Sequence, residues 1–119
     1  MDKQLDTRIR DSYTEAEFIH PDLDYWEFLL RHVTHRAEWT KELPDGEFSV
    51  YRGGTPTGFS WTLSENIAKF FATRFKAIGR LDDIYSMLVT KKDILWYTND
   101  REEQEVVLFP DPKRVKKHA

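Results

Sequence analysis

The fold is decided by a short stretch near the end of the chain, EQEVVLF, residues 103–109. Its apolar part begins with two β-branched residues and predicts a strand over 106–109. Because side chains alternate between the two faces of a strand, Glu103 and Glu105 are expected on one face, roughly 6.5–7 Å apart. Like charges at that range raise each other's pKa where water is partly excluded. A charged, solvated turn over 100–105 would explain the same residues, so the stretch alone leaves both interpretations open.

A second strand is predicted upstream, over residues 46–54, where two glycines end it. Alternation places Arg52 in line with the core positions Phe48 and Val50. An arginine at a strand end can simply extend its charge into water. It can equally hold a phosphate or a carboxylate with two parallel hydrogen bonds, beside glycines that let a ligand approach the backbone. The residues around Arg52 do not decide between these two interpretations.

The segment between these strands contains GFSWTLSE, residues 58–65, and then a helical pattern. Thr62 followed by Glu65 is a capping-box pattern, which predicts the start of the helix. The apolar positions of this helix recur at helical spacing and are expected in the core: Ile67, Phe70, Phe71 and Phe75. Ser60 precedes the cap and lies between two aromatic residues, where it has no evident structural task.

Three motifs follow one another along the chain: Tyr51-Arg52-Gly53, then Phe59-Ser60-Trp61-Thr62 leading into the helix, then Glu103-Gln104-Glu105-Val106-Val107-Leu108. In this order they resemble the mono-ADP-ribosyltransferases, specifically the branch with Arg, Ser-x-Ser/Thr and Glu-x-Glu motifs. That branch includes arginine-modifying transferases and several bacterial toxins. The resemblance covers residues 51–108, about half of the chain.

Three features depart from the family pattern. The part before Arg52 is short and helical, whereas many members carry a longer helical region that helps to cover the nucleotide. Thr62 stands where many members have serine, a change that keeps the hydroxyl group. The stretch 76–83, at the place of the nicotinamide-side loop, is brief.

The resemblance implies an α+β fold, with a short helical N-terminal part followed by a β-rich core of packed, mainly antiparallel strands and one inserted helix. It also implies NAD as the substrate, without a metal ion. In the implied mechanism Glu105 accepts a hydrogen bond from the ribose 2′-hydroxyl and stabilises an oxocarbenium-like centre. Ser60 orients Glu105, and Glu103 orients or deprotonates the acceptor, as in the arginine-modifying members.

The remaining site residues are also implied by the resemblance. Arg52 is expected to hold the dinucleotide through phosphate or ribose, and the backbone of Gly53 is expected to pair with the nicotinamide carboxamide. Further contacts to the nucleotide are expected from Tyr51, Trp61, Thr62 and Phe71. The turn before the last motif is expected to recognise the acceptor through Tyr97 and Asn99.

The implied acceptor is an arginine of a protein, and a nucleic-acid acceptor is less favoured. With water as the acceptor, the same residues would make the protein an NAD glycohydrolase. A non-catalytic module that binds a protein is the third alternative. It is less favoured because such a module has no physical reason to keep the charged set of Arg52, Ser60 and Glu105. The sequence does not indicate an oligomeric state.

The chain has 119 residues, which predicts one domain with a helical cover over 1–45, a β-rich core over 46–112 and a basic tail over 113–119. It has no cysteine, which excludes disulfides, thiolate catalysis and cysteine metal sites. The net charge is −3, but outside the tail 14 basic residues face 21 acidic ones. An acidic body binds phosphate backbones poorly. The tail is expected to be solvated and frayed.

Two helices are predicted before the core, the second of them over 22–39. Their apolar faces are Ile9, Tyr13 and Ala16 in the first helix, and Leu23, Trp26, Leu29, Leu30, Val33 and Ala37 in the second. The sequence at 44–46, Pro-Asp-Gly, predicts a turn into the first strand. Further strands are predicted over 84–90 and 94–97.

His32 and His35 lie three residues apart, a spacing that can bind metal, but no evident third ligand accompanies them in the sequence. Solvated or packed histidines are therefore favoured over a zinc site. No apolar stretch approaches the roughly 20 residues that span a membrane, and residues 1–6 lack the apolar region of a secretory signal. A cytoplasmic location is expected, with export by a signal-independent route left open.

Overall fold

The structure is a computed structural model that describes residues 3–15, 23–34, 36–73 and 83–118. The helices are α1 (Lys3–Glu15), α2 (Leu23–Leu30) and α3 (Glu65–Thr73). The strands are β1 (Phe48–Gly53), β2 (Ser60–Thr62), β3 (Ile84–Val89), β4 (Ile94–Thr98), β5 (Glu105–Leu108) and β6 (Lys116–His118). Across the described ranges these strands form one six-stranded antiparallel sheet in the order β4-β5-β2-β1-β3-β6, so the class is α+β, as predicted. None of the described helices is long and apolar enough to cross a membrane.

Strand β5 is buried on both of its faces. Val106, Val107 and Leu108 are each 0% exposed. Val107 belongs to a core on the face covered by α1 and α2, here called the helix-side core. Val106 and Leu108 belong to the core on the other face, the opposite core. Each of these side chains stabilises the fold by roughly 1.5–3 kcal/mol on leaving water, and their alternation is the one that the sequence predicted.

The two cores take their side chains from nearly every element. The helix-side core consists of Ile9, Tyr13, Trp26, Leu30, Val33, Phe59, Leu95, Trp96 and Val107. The opposite core consists of Leu43, Val50, Trp61, Met87, Val89, Ile94, Val106 and Leu108. A β-bulge in β4 lets two consecutive residues, Leu95 and Trp96, contribute to the helix-side core. Strands β3 and β4 agree with the predicted strands to within one residue.

Helix α1 buries Ile9 and Tyr13, as the helical spacing predicted. Three residues named in the predictions lie outside the described residues: Ala16, His35 and Phe75. The same holds for 76–82, nearly all of the expected nicotinamide-side loop.

Helix α2 is shorter than predicted. The pattern over 22–39 predicted one long helix, but α2 ends at Leu30 and turns follow. The backbone N–H of Thr34 donates to Oδ2 of Asp6 at 3.1 Å, and a continuing helix would use that N–H internally. Beyond Leu30 the N–H groups of His32 and Val33 bond three residues back, and a tertiary hydrogen bond to the fully buried Asp6 takes that of Thr34. Ala37, predicted on the buried face, is exposed.

Helix α3 is capped by Ser64, and the predicted Thr62 capping box is wrong. The Ser64 hydroxyl accepts a hydrogen bond from the backbone N–H of Ile67 at 3.2 Å. The Ser64 carbonyl accepts from the N–H of Ala68 at 3.1 Å, which begins the helical ladder. Thr62 is instead the last residue of β2, where its hydroxyl has another partner.

Small residues let α3 lie directly on β1. The buried side chains of α3 are Ala68 and Ala72, and they face Gly53 at the end of β1. A Cβ atom at Gly53 would overlap the Ala68 carbonyl oxygen and lie 2.6 Å from the Ala72 nitrogen. Phe70, predicted in the core, is 64% exposed, because it lies two residues from both Ala68 and Ala72 and therefore on the helix face turned away from β1.

The basic tail is part of the sheet, so the prediction of a frayed tail is wrong. Residues 116–118 form β6, which pairs with β3. Arg114 donates to the Leu88 carbonyl at 3.2 Å and to Asp93 at 3.3 Å. Burial raises the pKa of Asp93, but hydrogen bonds from Arg114 and from the backbone of Thr90 outweigh it, so the pKa lies below its ordinary value. Ion pairs of Arg114 with Asp93 and Asp111, together with the pairing of β6 with β3, thus hold the tail on the sheet.

Replacing Gly53 with alanine is expected to destabilise the fold by about 1–3 kcal/mol, because the new methyl group meets backbone atoms of α3 that cannot move aside. Urea denaturation of the wild type and of Gly53→Ala measures the loss. Gly46→Ala is the matched control. Its Cβ meets nothing within 4 Å, and only its positive φ of 75° opposes the change, at about 1 kcal/mol. Equal losses in the two variants would contradict the close packing of α3 on Gly53.

Candidate active site

The pairing of β2 with β5 brings the second and third motifs together. In this antiparallel pair Thr62 lies opposite Glu105, and Ser60 lies opposite Val107. Strand β1 adds Tyr51, which lies opposite Thr62. Directly opposite residues of antiparallel strands share a face, so Tyr51, Thr62 and Glu105 form one row. Because Val107 belongs to the helix-side core, this row lies on the face of that core.

Ser60 links this row to helix α1. The hydroxyl oxygens of Tyr13 and Ser60 lie 2.5 Å apart. Ser60 shares a face of the paired strands with Glu105, and its hydroxyl lowers the pKa of the Glu105 carboxyl. Burial raises the pKa of Tyr13 to about 12, to which the charge of Glu105 contributes. Arg52 is close enough for its charge to act on both Tyr13 and Glu105. These four residues are called the Ser60 site below.

The site disfavours the ionised form of the Glu105 carboxyl. Burial raises its pKa above the ordinary carboxyl value, and the neighbouring Glu103 carboxylate raises it further. The hydrogen bond from Ser60 and the charges of Arg101 and Arg52 act in the other direction without cancelling the rise. The expected mutual influence of the two acids is therefore present, although burial is the larger cause. A perturbed carboxyl group beside a hydroxyl and a guanidinium group is typical of functional sites.

Arg52 holds the loop between β1 and β2. Its Nε donates to the Thr55 carbonyl at 2.7 Å, and its Nη1 donates to the Ser60 carbonyl at 2.8 Å. A Cβ atom at Gly58 would overlap the guanidinium group, so this contact requires glycine there. The sequence left open whether Arg52 extends its charge into water or grips a phosphate or a carboxylate with two hydrogen bonds. In the structure two of its N–H groups donate to the backbone, and its charge acts on Glu105.

Glu103 lies in a turn before β5, so the prediction that it shares a strand face with Glu105 is wrong. The strand begins at Glu105, and Gln104 between the two acids has a left-handed backbone with φ 47°. The side-chain oxygen of Asn99 accepts from the Gln104 N–H at 3.0 Å. The Thr62 hydroxyl donates to the Glu103 carbonyl at 2.7 Å and ties the turn to β2. From this turn the charge of Glu103 still acts on Glu105 and raises its pKa.

Two of the predicted ligand contacts lie on the other face of the sheet. Trp61 is buried in the opposite core, and its Nε1 donates to the Gly58 carbonyl at 2.9 Å. Tyr97 lies opposite Val106 and packs against the same core. Alternation along β2 and β5 therefore separates both rings from the Ser60 site. Asn99, the other expected acceptor contact, supports the turn that holds Glu103.

The remaining predicted residues lie nearer to α3. Tyr51 keeps its place in the row with Thr62 and packs edge-on against His118 of β6. His118 in turn forms a hydrogen bond with Glu65 at the start of α3. Phe71 is half-buried on α3, with its ring edge-on to that of Phe70. Gly53 serves the packing of α3, which gives its lack of a side chain a structural reason.

Sequence reasoning missed two residues of this region. Tyr13 was assigned to the apolar face of a helix, and its ring does lie there, but its hydroxyl contacts Ser60. Arg101 donates to the Thr14 carbonyl at 3.1 Å, and its charge acts on Glu105. The sequence did offer a signal for Arg101, because it lies next to two acids in one short charged turn. No local pattern signals the contact of Tyr13, because it spans 47 residues of the chain.

The histidines give no metal site in the part of the chain that is described. No group of three His, Cys, Asp or Glu side chains there is arranged to hold a metal ion. His32 Nδ1 lies 2.9 Å from the Phe28 carbonyl oxygen, and its ring packs edge-on against that of Phe28. This placement agrees with a packed histidine.

A cavity of about 500 Å³ adjoins the loop that Arg52 holds. Pro56, Thr57 and Phe59 of that loop form one wall, and Tyr85 and Phe109 form part of the others. Ligand pockets in proteins commonly measure about 300–1,000 Å³, so the cavity is large enough for part of a nucleotide. Its lining does not include the Ser60 site itself, which lies one residue beyond Phe59 along the chain.

Comparison with known proteins adds no relative. The chain matches no protein-family model, no curated protein and no solved structure. Its function must therefore be inferred from the Ser60 site and its motifs.

The raised pKa of Glu105 predicts a pH-dependent stability difference between the wild type and Glu105→Gln. The folded protein binds a proton at Glu105 more readily than the unfolded chain does. The stability from this group is therefore complete at low pH and is lost as pH rises through the raised pKa. Glu105→Gln removes that loss, so its stability relative to the wild type should increase as the pH rises from about 4 to neutral.

Urea denaturation at a series of pH values checks this difference. Glu102→Gln removes an exposed carboxylate from the same turn and is the matched control for surface charge. A relative stability of Glu105→Gln that falls with rising pH, or that follows the control, would show that burial does not govern Glu105.

Proposed function

We propose that the protein is an NAD-dependent ADP-ribosyltransferase that transfers ADP-ribose to an arginine of a protein. The observation that carries the proposal is a partly buried Glu105 on the same strand face as Ser60, with a pKa raised by burial and influenced by Ser60, Glu103 and Arg52. Arg52 also donates to the Ser60 carbonyl. The motifs of these residues are those that resemble the transferase family. A cytoplasmic setting is part of the proposal, since a chain without cysteines does not depend on disulfides.

The chemical demand of this reaction is the stabilisation of positive charge on the ribose. A carboxylate whose ionised form is disfavoured by burial gains more than a solvated one when positive charge develops next to it. Glu105 has this property, because burial raises its pKa. Ser60 holds the carboxylate in place before the reaction, so that little reorganisation is needed during it. Acceptance of a hydrogen bond from the ribose 2′-hydroxyl then strengthens in the transition state.

The proposed reaction exchanges one bond to the anomeric carbon for another. The bond between this carbon and the nicotinamide nitrogen breaks, and its electron pair leaves with nicotinamide, which becomes neutral. A guanidinium nitrogen of the acceptor forms the new bond to the same carbon and loses one proton. Glu103 is the proposed base for that proton, because guanidinium is a poor nucleophile while fully protonated. The proton then passes from the Glu103 carboxyl group to water.

The dinucleotide is proposed to extend from the Ser60 site towards the loop that Arg52 holds. Arg52 supplies a fixed positive charge for the phosphates, although Nε and Nη1 already donate to backbone carbonyls. The cavity beyond the loop offers about 500 Å³ with aromatic walls at Phe59, Tyr85 and Phe109, which suits a flat ring. In this proposal Arg52 acts through its charge and through the shape of the loop.

Glu105→Gln is expected to lower NAD turnover by roughly 10²–10³, because it removes the charge that stabilises the transition state while nearly keeping the volume. Nicotinamide release measures the rate, and calorimetry with NAD checks that binding is retained. Glu102→Gln, in the same turn, is the matched control and should turn over at the wild-type rate. A folded Glu105→Gln protein with wild-type turnover would remove Glu105 from the mechanism.

Glu103→Gln is expected to separate transfer from hydrolysis. Its proposed task concerns only the acceptor, so transfer to protein arginine should fall roughly 10²-fold, while slow hydrolysis by water loses much less. One preparation is assayed twice, for nicotinamide release and, by mass spectrometry, for ADP-ribose on a protein acceptor.

Three other outcomes have distinct meanings. Equal loss of both activities would place Glu103 in the step that breaks the glycosidic bond. Hydrolysis without any transfer in the wild type would make the protein an NAD glycohydrolase. Neither activity, with a folded protein, would leave the binding module as the explanation.

A further inference from the structure

The ring of Tyr13 packs in the helix-side core, and its hydroxyl contacts the Ser60 hydroxyl. Its ring lies edge-on to Trp26 at 5.4 Å and to Trp96 at 5.6 Å, and the residue is 4% exposed. Edge-to-face packing of this kind orients an aromatic ring as well as burying it. The Tyr13 hydroxyl therefore cannot swing away from Ser60, and the contact of 2.5 Å is set by the helix-side core.

The direction of the hydrogen bonds follows from counting protons. An ionised Glu105 carboxylate can only accept, and a serine hydroxyl has one proton to donate. Ser60 faces the same side of the paired strands as Glu105 and lowers the pKa of its carboxyl, as a donor to the ionised form does. A Ser60 hydroxyl that turns its proton towards Glu105 has only lone pairs to offer to Tyr13. In that arrangement Tyr13 supplies the proton between the two hydroxyls, which lie 2.5 Å apart. With a pKa raised by burial to about 12, Tyr13 keeps that proton at any working pH.

We propose that Tyr13 is a positioning residue of the active site: by donating to Ser60, it directs the single Ser60 proton at Glu105 and favours the ionised carboxylate. Hydrogen bonds in such a chain polarise and strengthen one another. The effect on catalysis rests on the proposed function. The direction of the hydrogen bonds does not depend on that function, because it concerns only groups of the protein.

The predicted consequence is a change in the titration of Glu105. Tyr13→Phe removes one hydroxyl and keeps the ring in its aromatic contacts. Ser60 is then free to turn its proton elsewhere, so the ionised carboxylate loses support and Glu105 should titrate at a higher pH. For a neighbour that acts through one intervening hydrogen bond, we expect an upward shift of about half a pH unit.

Other charges around Glu105 stay the same in this variant. Among the described residues, the charged and titratable groups that act on Glu105 are Glu103 and Arg101 from the preceding turn, Arg52 from β1 and Tyr13 from α1. Only the last of these is altered, so a shift in the titration reports the Tyr13 hydroxyl.

The test is a titration of the Glu105 carboxyl carbon by NMR in the full chain, with the signal assigned by its loss in Glu105→Gln. Wild type, Tyr13→Phe and Tyr25→Phe are compared. Tyr25→Phe is the matched control, because it makes the same chemical change at a tyrosine on α2 that is 59% exposed. The proposal predicts an upward shift in Tyr13→Phe alone. No shift, or a downward shift, would overturn it, since a downward shift means that Ser60 had been donating to Tyr13.

A second pair of variants separates positioning from packing. In a Ser60→Ala background the chain of hydrogen bonds is already broken, so adding Tyr13→Phe should leave the Glu105 midpoint unchanged. A purely structural role would instead lower stability equally in both backgrounds, without this dependence on Ser60. A shift that persists without Ser60 would also overturn the proposal, because Tyr13 would then act on Glu105 directly.

The enzymatic readout is kept separate from the titration. If the protein turns over NAD, the acid limb of the rate profile should move upward in Tyr13→Phe by the same amount as the carboxyl titration. Failure of the wild type to release nicotinamide would refute the proposed function and leave the titration as the test of Tyr13. An acid limb that stays in place while the titration shifts would refute the link between Tyr13 and catalysis.

Discussion

The antiparallel pairing of β2 with β5 is the constraint on which the rest of the structure depends. It places Thr62 opposite Glu105 and Ser60 opposite Val107, and it runs through the middle of a sheet that is covered on both faces. A slip of one residue in this register would turn the buried valines and Glu105 to the wrong faces at once. The burial that stabilises the sheet therefore also fixes the position of the carboxylate.

The loop between β1 and β2 shows how one residue can serve both structure and function. Arg52 closes this loop on the carbonyls of Thr55 and Ser60, and Gly58 leaves the space for the guanidinium group. The Ser60 backbone is thereby held at the point where its side chain meets Glu105. An arginine in that place contributes shape to the site and charge to its electrostatics, and lysine lacks the planar group needed for the first.

The Ser60 site carries a cost that the fold alone does not require. Burial and Glu103 both disfavour the ionised form of Glu105, while Ser60, Arg101 and Arg52 compensate only in part. Apolar residues at these positions would make the fold more stable. A loss of folding stability from polar groups is usual where those groups must act on a ligand. The site is set in the helix-side core, so its polar groups are oriented by the same aromatic packing that stabilises α1 and α2.

The sequence by itself determined the elements whose evidence is local. Alternation gave β5 and its two buried faces, helical spacing gave the buried face of α1, and the three motifs selected Arg52, Ser60 and Glu105. Only the tertiary structure decided what depends on distant partners. Asp6 takes the N–H of Thr34 beyond the end of α2, Asp93 binds Arg114 of the basic tail, and a left-handed residue separates Glu103 from the strand of Glu105. The hydroxyl of Tyr13 contacts Ser60, 47 residues away in the chain. No local pattern predicts this contact, because helical spacing accounts only for the burial of the Tyr13 ring.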